Sequence, residues 1–273
     1  TYLSIWHGWP GALGGGLGSV QAGIYVIAVI APIVFVARTD RSLRQDAQLL
    51  TNSVAYMIRT AFWAVVLIGL ADMVISFLRV EALLVGVVGD EFATELSRSQ
   101  FRGPYIHMPL LAVSFLIAAK TRTLGFPWLA LLVVAAELLI VISRFIFSYE
   151  QAFQGDLVRF WYAGLFLFAS AYTLFEDGHV RVDVLYSGFR PTTKGAVNAV
   201  GCLVMGVALC TVILTFGMWD KTSVITGPLL NYEVSQSGFG MYVKYLMAGF
   251  LGVFAITMMI QFAAYLMDSI ADF

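Results

Sequence analysis

Long apolar runs, broken by short polar or charged stretches, set the plan of this chain. A membrane-crossing helix needs about 20 mainly apolar residues. Seven stretches approach or meet that length: 20–37, 54–78, 105–119, 127–148, 157–175, 196–219 and 243–267. The expected fold class is therefore all-α, a polytopic integral membrane protein of about seven transmembrane helices. Pro32 predicts a kink in the first run, which a membrane helix tolerates. Pro127 suits the first helical position of the fourth. Residues 1–19, Gly-rich with Trp6 and Trp9, predict an interfacial lead-in and lack the basic flank of a signal peptide. The longest connection, 79–104, carries Glu81, Asp90, Glu91 and Glu95, and its Leu83–Val88 stretch is expected to touch the membrane surface.

Composition agrees. Of 273 residues, 60% are hydrophobic and 12% charged, against about 25% charged in soluble domains. Membrane lipids are thus the expected surroundings. A net charge of -1 leaves no basic surface for nucleic acid. Cys202 and Cys210, eight apart on one helix, are separated by roughly 12 Å, too far for a disulfide, and are expected to be small apolar packers. Three histidines and two cysteines are few for a metal site, and no cofactor or metal is expected. No hydrolase nucleophile motif, phosphate-binding loop or zinc pattern is found, so an enzyme is not expected.

Basic residues predict the orientation. Connections 38–53, 120–126 and 176–195 hold eight Lys or Arg; the opposite set, 1–19, 79–104, 149–156 and 220–242, holds four. The first set should face the cytoplasm, with the N-terminus outside and the C-terminus inside.

Two carboxylates fall within apolar runs, where a charge is costly unless paired or protonated. Glu137 is mid-run in the fourth span, with Arg144 two turns on along the same face, about 10 Å away. It either faces a partner helix or ion path, or bonds within the bundle and holds helices in register. Asp72 in the second span poses the same choice, nearer the outer surface. Arg59 can snorkel to the inner surface. Arg144 suits the outer interface. Glu150, in the turn before the fifth span, favours that helix's N-terminal dipole. Gly178 fits a left-handed helix end, after which His179 can bond back to freed carbonyls or to Asp183. If 180–190 is helical, Val182, Leu185, Tyr186 and Phe189 share a face and Arg181 and Arg190 sit near the lipid phosphates, as in a short interfacial helix.

Arg144-Phe145 closing one helix, Glu150 opening the next, and Gly178-His179 with Asp183 where that helix ends occur in order. This pattern resembles the small permease subunit (DctQ-like) of tripartite ATP-independent periplasmic (TRAP) transporters. The resemblance covers 125–273 and departs at Ala169, where the family often has glycine. It implies four spans with both ends cytoplasmic, in the bacterial inner membrane. It also implies a non-catalytic scaffold for a large TRAP permease subunit, which binds sodium and moves a solute, commonly an organic acid, delivered by a periplasmic solute-binding protein. Arg144, Glu150, Gly178, His179, Arg181 and Asp183 would then serve assembly. Residues 1–124 form an N-terminal extension of three spans. Two other readings remain: an accessory subunit of a different membrane complex, and a haem or quinone redox subunit. The latter needs paired axial ligands, whereas His107 and His179 open and close spans on opposite sides.

Overall fold

The computed structural model describes residues 16–122, 125–176, 178, 183–235 and 240–272. Every regular element among them is helical. Lipid cannot hydrogen-bond an open backbone, and a helix satisfies its own. Seven helices are long and apolar enough to cross a membrane. In chain order the elements are α1 (Gly16–Arg38), α2 (Leu43–Val80), the short α3 (Leu84–Val88) and α4 (Asp90–Leu96), and then α5 (Ser99–Lys120). There follow α6 (Phe126–Ile146), α7 (Ala152–Phe175), α8 (Pro191–Met218), the short α9 (Thr226–Asn231) and α10 (Lys244–Ala271). The spans alternate in direction. The described residues of the connections 39–42, 121–125 and 176–190 lie at one end, here the basic end; those of 81–98, 147–151 and 219–243 lie at the other, the acidic end.

Local chemistry sets the helix starts. Ser42 Oγ accepts from the Gln45 N–H and Gln45 Oε1 accepts from the Ser42 N–H, so two donors that a helix N-terminus orphans are satisfied reciprocally. Proline stands in the first turn of α6 and of α8, where its missing N–H costs nothing. Between α5 and α6 the chain turns through Gly125 at φ 78°. A Cβ there would lie 2.5 Å from the Phe62 ring, so conformation and space both demand glycine.

Helices α2, α7 and α10 pack against one another and form the centre. α5 leans on α2, α6 on α7, and α8 on α10. The centre therefore joins a helix from residues 1–124 to two from 125–273. Trp161 of α7 donates its indole N–H to the Val65 carbonyl of α2 at 3.2 Å. It lies so close to α2 that a Cβ on Gly69 would come within 2.3 Å of the indole nitrogen. Phe250 of α10 packs between Phe160 and Phe168 of α7, at centroid distances of 5.1 and 4.9 Å. Small residues allow this approach: Ala171 and Ala255 are fully buried. α1 stands apart, with only Gly18 and Gln21 buried among its described residues.

Boundaries differ from the sequence expectation around two connections. Much of 38–53 is helix, and α2 begins at Leu43 rather than near 54. The connection 79–104 is largely helical, and α5 begins at Ser99 rather than near 105. Leu84, Ala93 and Leu96 bury together there, which supplies the apolar contact that holds α3 and α4. Leu83, Val85 and Val87 point away and are exposed.

Gly69→Val should force Trp161 from its place against α2. Overpacking of this kind costs about 1–3 kcal/mol, so the detergent-purified variant should melt below wild type, with Gly69→Ala intermediate. Unchanged melting of both variants would show that the α2–α7 contact is not this close.

Candidate functional site

A dense polar cluster centres on Asp72, fully buried in α2 near the acidic end. A carboxylate there must have its lone pairs filled. Oδ1 accepts from Arg102 Nη1 at 2.8 Å and lies 3.2 Å from His107 Nε2, while Oδ2 accepts from the Tyr242 backbone N–H at 2.7 Å. Arg102 and His107 are themselves fully buried. Arg102 also donates to Ser76 Oγ at 3.2 Å and, through Nε, to the Leu96 carbonyl.

A carboxylate only accepts, so His107 Nε2 carries a proton toward Asp72, while Nδ1 pairs with the Tyr245 hydroxyl at 2.8 Å. Both ring nitrogens are thereby occupied, which leaves neither as an axial ligand for haem.

A local irregularity brings Arg102 and His107 to one carboxylate. Residues five apart on an α-helix point about 140° from each other. Gly103–His107 is instead a π-helical turn, whose wider winding narrows that angle. The segment before α10 closes the cluster. The guanidinium groups of Arg79 and Arg102 lie 4.7 and 4.3 Å from the centroid of the Tyr242 ring. The Tyr242 hydroxyl accepts from Arg79 Nη1 and donates to the Ser97 carbonyl at 2.9 Å. Asp156 of α7 holds the same segment, accepting from the Met241 N–H at 3.0 Å and from Ser235 Oγ at 3.1 Å. The arrangement ties α2, α5, α7 and the start of α10 together. Asp72 pairs with Arg102, and Arg79 is held by the Tyr242 hydroxyl and the Gly240 carbonyl.

Of this cluster, sequence reasoning singled out Asp72 and His107. Arg102 was expected in an outer connection; the structure instead buries it inside the bundle. Tyr242 and Tyr245 carry no sequence signal beyond aromatic residues at a helix start. Arg102-Gly103-Pro104 ahead of an apolar run is the one local hint of a special turn.

The other expected positions lie elsewhere. Arg144 and Glu150 are both exposed at the acidic end and make no ion pair with each other. The first turn of α7 is closed by Gln154, whose Oε1 accepts from the Gln151 N–H at 3.3 Å, rather than by Glu150. The left-handed conformation expected at Gly178 is not found: the positive-φ glycines among the described residues are Gly89 and Gly125. Gly178 instead donates its N–H back to the Thr173 carbonyl at 2.9 Å, which satisfies one of the helix's last acceptors. His179 and Arg181 fall outside the described residues. Asp183 is exposed and lines a groove with Tyr186, Asn198 and Tyr265. Of the interfacial helix expected over 180–190, the described part carries one 3-10 turn, Tyr186–Gly188, cut short before Pro191 starts α8. Glu137 is exposed at mid-height on α6.

Seven apolar spans whose deepest buried charges pair internally define a polytopic helical membrane protein. The family model for the DctQ component of tripartite ATP-independent periplasmic transporters matches residues 129–271, and the chain belongs to that family. It is the small membrane component of a TRAP transporter, a tripartite assembly, and the family is not enzymatic. Comparisons with curated proteins and with solved structures gave no match.

Breaking one partner of a buried ion pair typically costs about 3–5 kcal/mol, because the other charge is left unpaired. Asp72→Asn should therefore lower the melting temperature sharply. Arg102→Met should cost much less in the Asp72→Asn background than in wild type. A double-mutant cycle in detergent measures this coupling, and additive effects would mean that the two charges do not act as a pair.

Proposed function

We propose that the chain scaffolds the large permease subunit for sodium-coupled uptake of an organic acid or similar solute, captured outside by a periplasmic solute-binding protein. The observation that carries this reading is the match over α6 to α10, on a bundle whose polar residues tie helices together. Secondary transporters commonly build midplane solute sites from paired, broken helices. Among the described residues no span is interrupted by unwound backbone, so the solute and sodium sites are assigned to the large subunit. Residues 1–124 enlarge the brace, α2 being its central helix. Arg144, Glu150, Gly178, His179, Arg181 and Asp183 are assigned to assembly. A second reading, an accessory subunit of another membrane complex, draws on the three spans that precede the match.

The basic end is assigned to the cytoplasm of the bacterial inner membrane, on the sequence count of eight basic residues against four, of which Arg102 is withdrawn into the bundle. This puts α1's start outside and α10's end inside.

Gentle purification from the native membrane should recover a large multi-span subunit of the TRAP type, identified by mass spectrometry. Recovery of a different complex would favour the second reading. His179→Ala and Asp183→Ala should reduce that recovery without changing which solute is taken up; an altered solute profile with intact assembly would refute their placement. In a chain with Cys202 and Cys210 replaced by alanine, a cysteine at Lys221 should react with a membrane-impermeant thiol reagent in intact cells. One at Lys194 should react only after the membrane is opened, and the reverse result would invert the topology.

A further inference from the structure

Glu137 poses a problem that the chain does not solve by itself. It is the twelfth residue of the 21-residue α6, about 17 Å from the helix start, and so near the middle of the bilayer. A carboxylate at that depth is strongly disfavoured unless it is paired or protonated. Glu137 is exposed, and no hydrogen bond or ion pair from the described residues reaches it. α6 buries Leu129 and Ala136 against the bundle and leaves Val134, Leu138 and Val141 open beside Glu137. Arg144, two turns nearer the acidic end, is equally open and makes no ion pair with the described residues. Roughly 10 Å of axial rise separates the two, too far for them to neutralise each other.

The other open helices lack this feature. α1 has no charged residue before Arg38, and its exposed surface suits lipid as it stands. On α8 the exposed Thr211 hydroxyl returns to the Val207 carbonyl at 2.7 Å. Arg159 of α7 is also charged and exposed, but it lies 3.7 Å from Asp156; among the described residues Glu137 is the mid-span charge on an open face with no ion-pair partner.

We infer that this face of α6 is the docking surface for a transmembrane helix of the large permease subunit. That helix presents a cationic or other hydrogen-bond donor at the depth of Glu137. It presents an acceptor about 10 Å nearer the acidic end, opposite Arg144. The inference rests on the scaffold reading above and adds where the partner sits and what chemistry it brings. Acyl chains offer Glu137 nothing, and lipid headgroups reach only the level of Arg144. A second copy packed symmetrically through this face would set Glu137 near its own twin about the two-fold axis, like charge against like.

The test uses the complex in its own membrane. A photo-crosslinking residue placed singly at Val134, Leu138 or Val141 should yield an adduct with the large subunit. The same residue at Ile27 of α1 or Met205 of α8, both open to the surroundings, should not. Glu137→Leu should lower recovery of the large subunit at least tenfold while leaving the chain's own membrane yield and melting temperature unchanged or raised, since it removes an exposed charge; Glu137→Gln should retain part of the recovery. Adducts from α6 only to a second copy, or none at all, overturn the inference, as does a Glu137→Leu variant that still brings the large subunit in full. In those cases recovery of the large subunit with the wild-type chain leaves the scaffold reading standing. If the wild-type chain recovers no such subunit, the scaffold reading fails and the inference falls with it.

Discussion

The acidic half of the bundle depends on one carboxylate having enough donors. Asp72 is withdrawn from solvent on α2 and receives hydrogen bonds from α5 and from the Tyr242 backbone just before α10. In a low-dielectric interior such an arrangement is stable only when complete, because an unfilled lone pair costs more than a filled one returns. That requirement fixes the register of three helices at once. It accounts for the π turn, which aims Arg102 and His107 at one acceptor, and for the two tyrosines that finish the shell.

The apolar centre does complementary work toward the basic end. Trp161, Phe160, Phe168 and Phe250 interlock α2, α7 and α10, and small residues set how near the helices come. Packing of this kind is the main attraction open to helices in lipid, where exclusion from water no longer drives them together. The two regions divide the labour: shape complementarity in the centre, polar specificity near one surface. α2 serves both, so the extension ahead of the family match is integral to the packed core.

The seven spans were legible because crossing a membrane demands a length of apolar sequence, and length survives without knowledge of packing. What those spans do to each other was not. Asp72 stood out as a buried acid, but its partners lie 30, 35 and 170 residues away, and nothing local links them. Arg102 belonged by composition to a polar connection, and the turn that buries it depends on backbone winding that residue types do not announce. Glu137 illustrates the reverse difficulty. α6 is apolar on nearly every side, so its sequence does not tell the packed face from the open one, and only the three-dimensional arrangement separates Leu129 and Ala136 from the carboxylate.

The last donor to Asp72 has a bearing on how the protein is made. Chain growth delivers α2 and α5 early, and Arg102 can neutralise the acid as soon as those two helices meet in the bilayer. The Tyr242 amide, the tyrosine ring that covers both guanidinium groups and the Tyr245 hydroxyl arrive only after three further membrane passages are complete and a fourth has begun. Until the last helix is in place, the Asp72–Arg102 pair lacks both the Tyr242 donor and the cover of its ring. A chain without that helix would keep a buried carboxylate with Oδ2 unfilled, so the last span completes a polar shell that begins on the second.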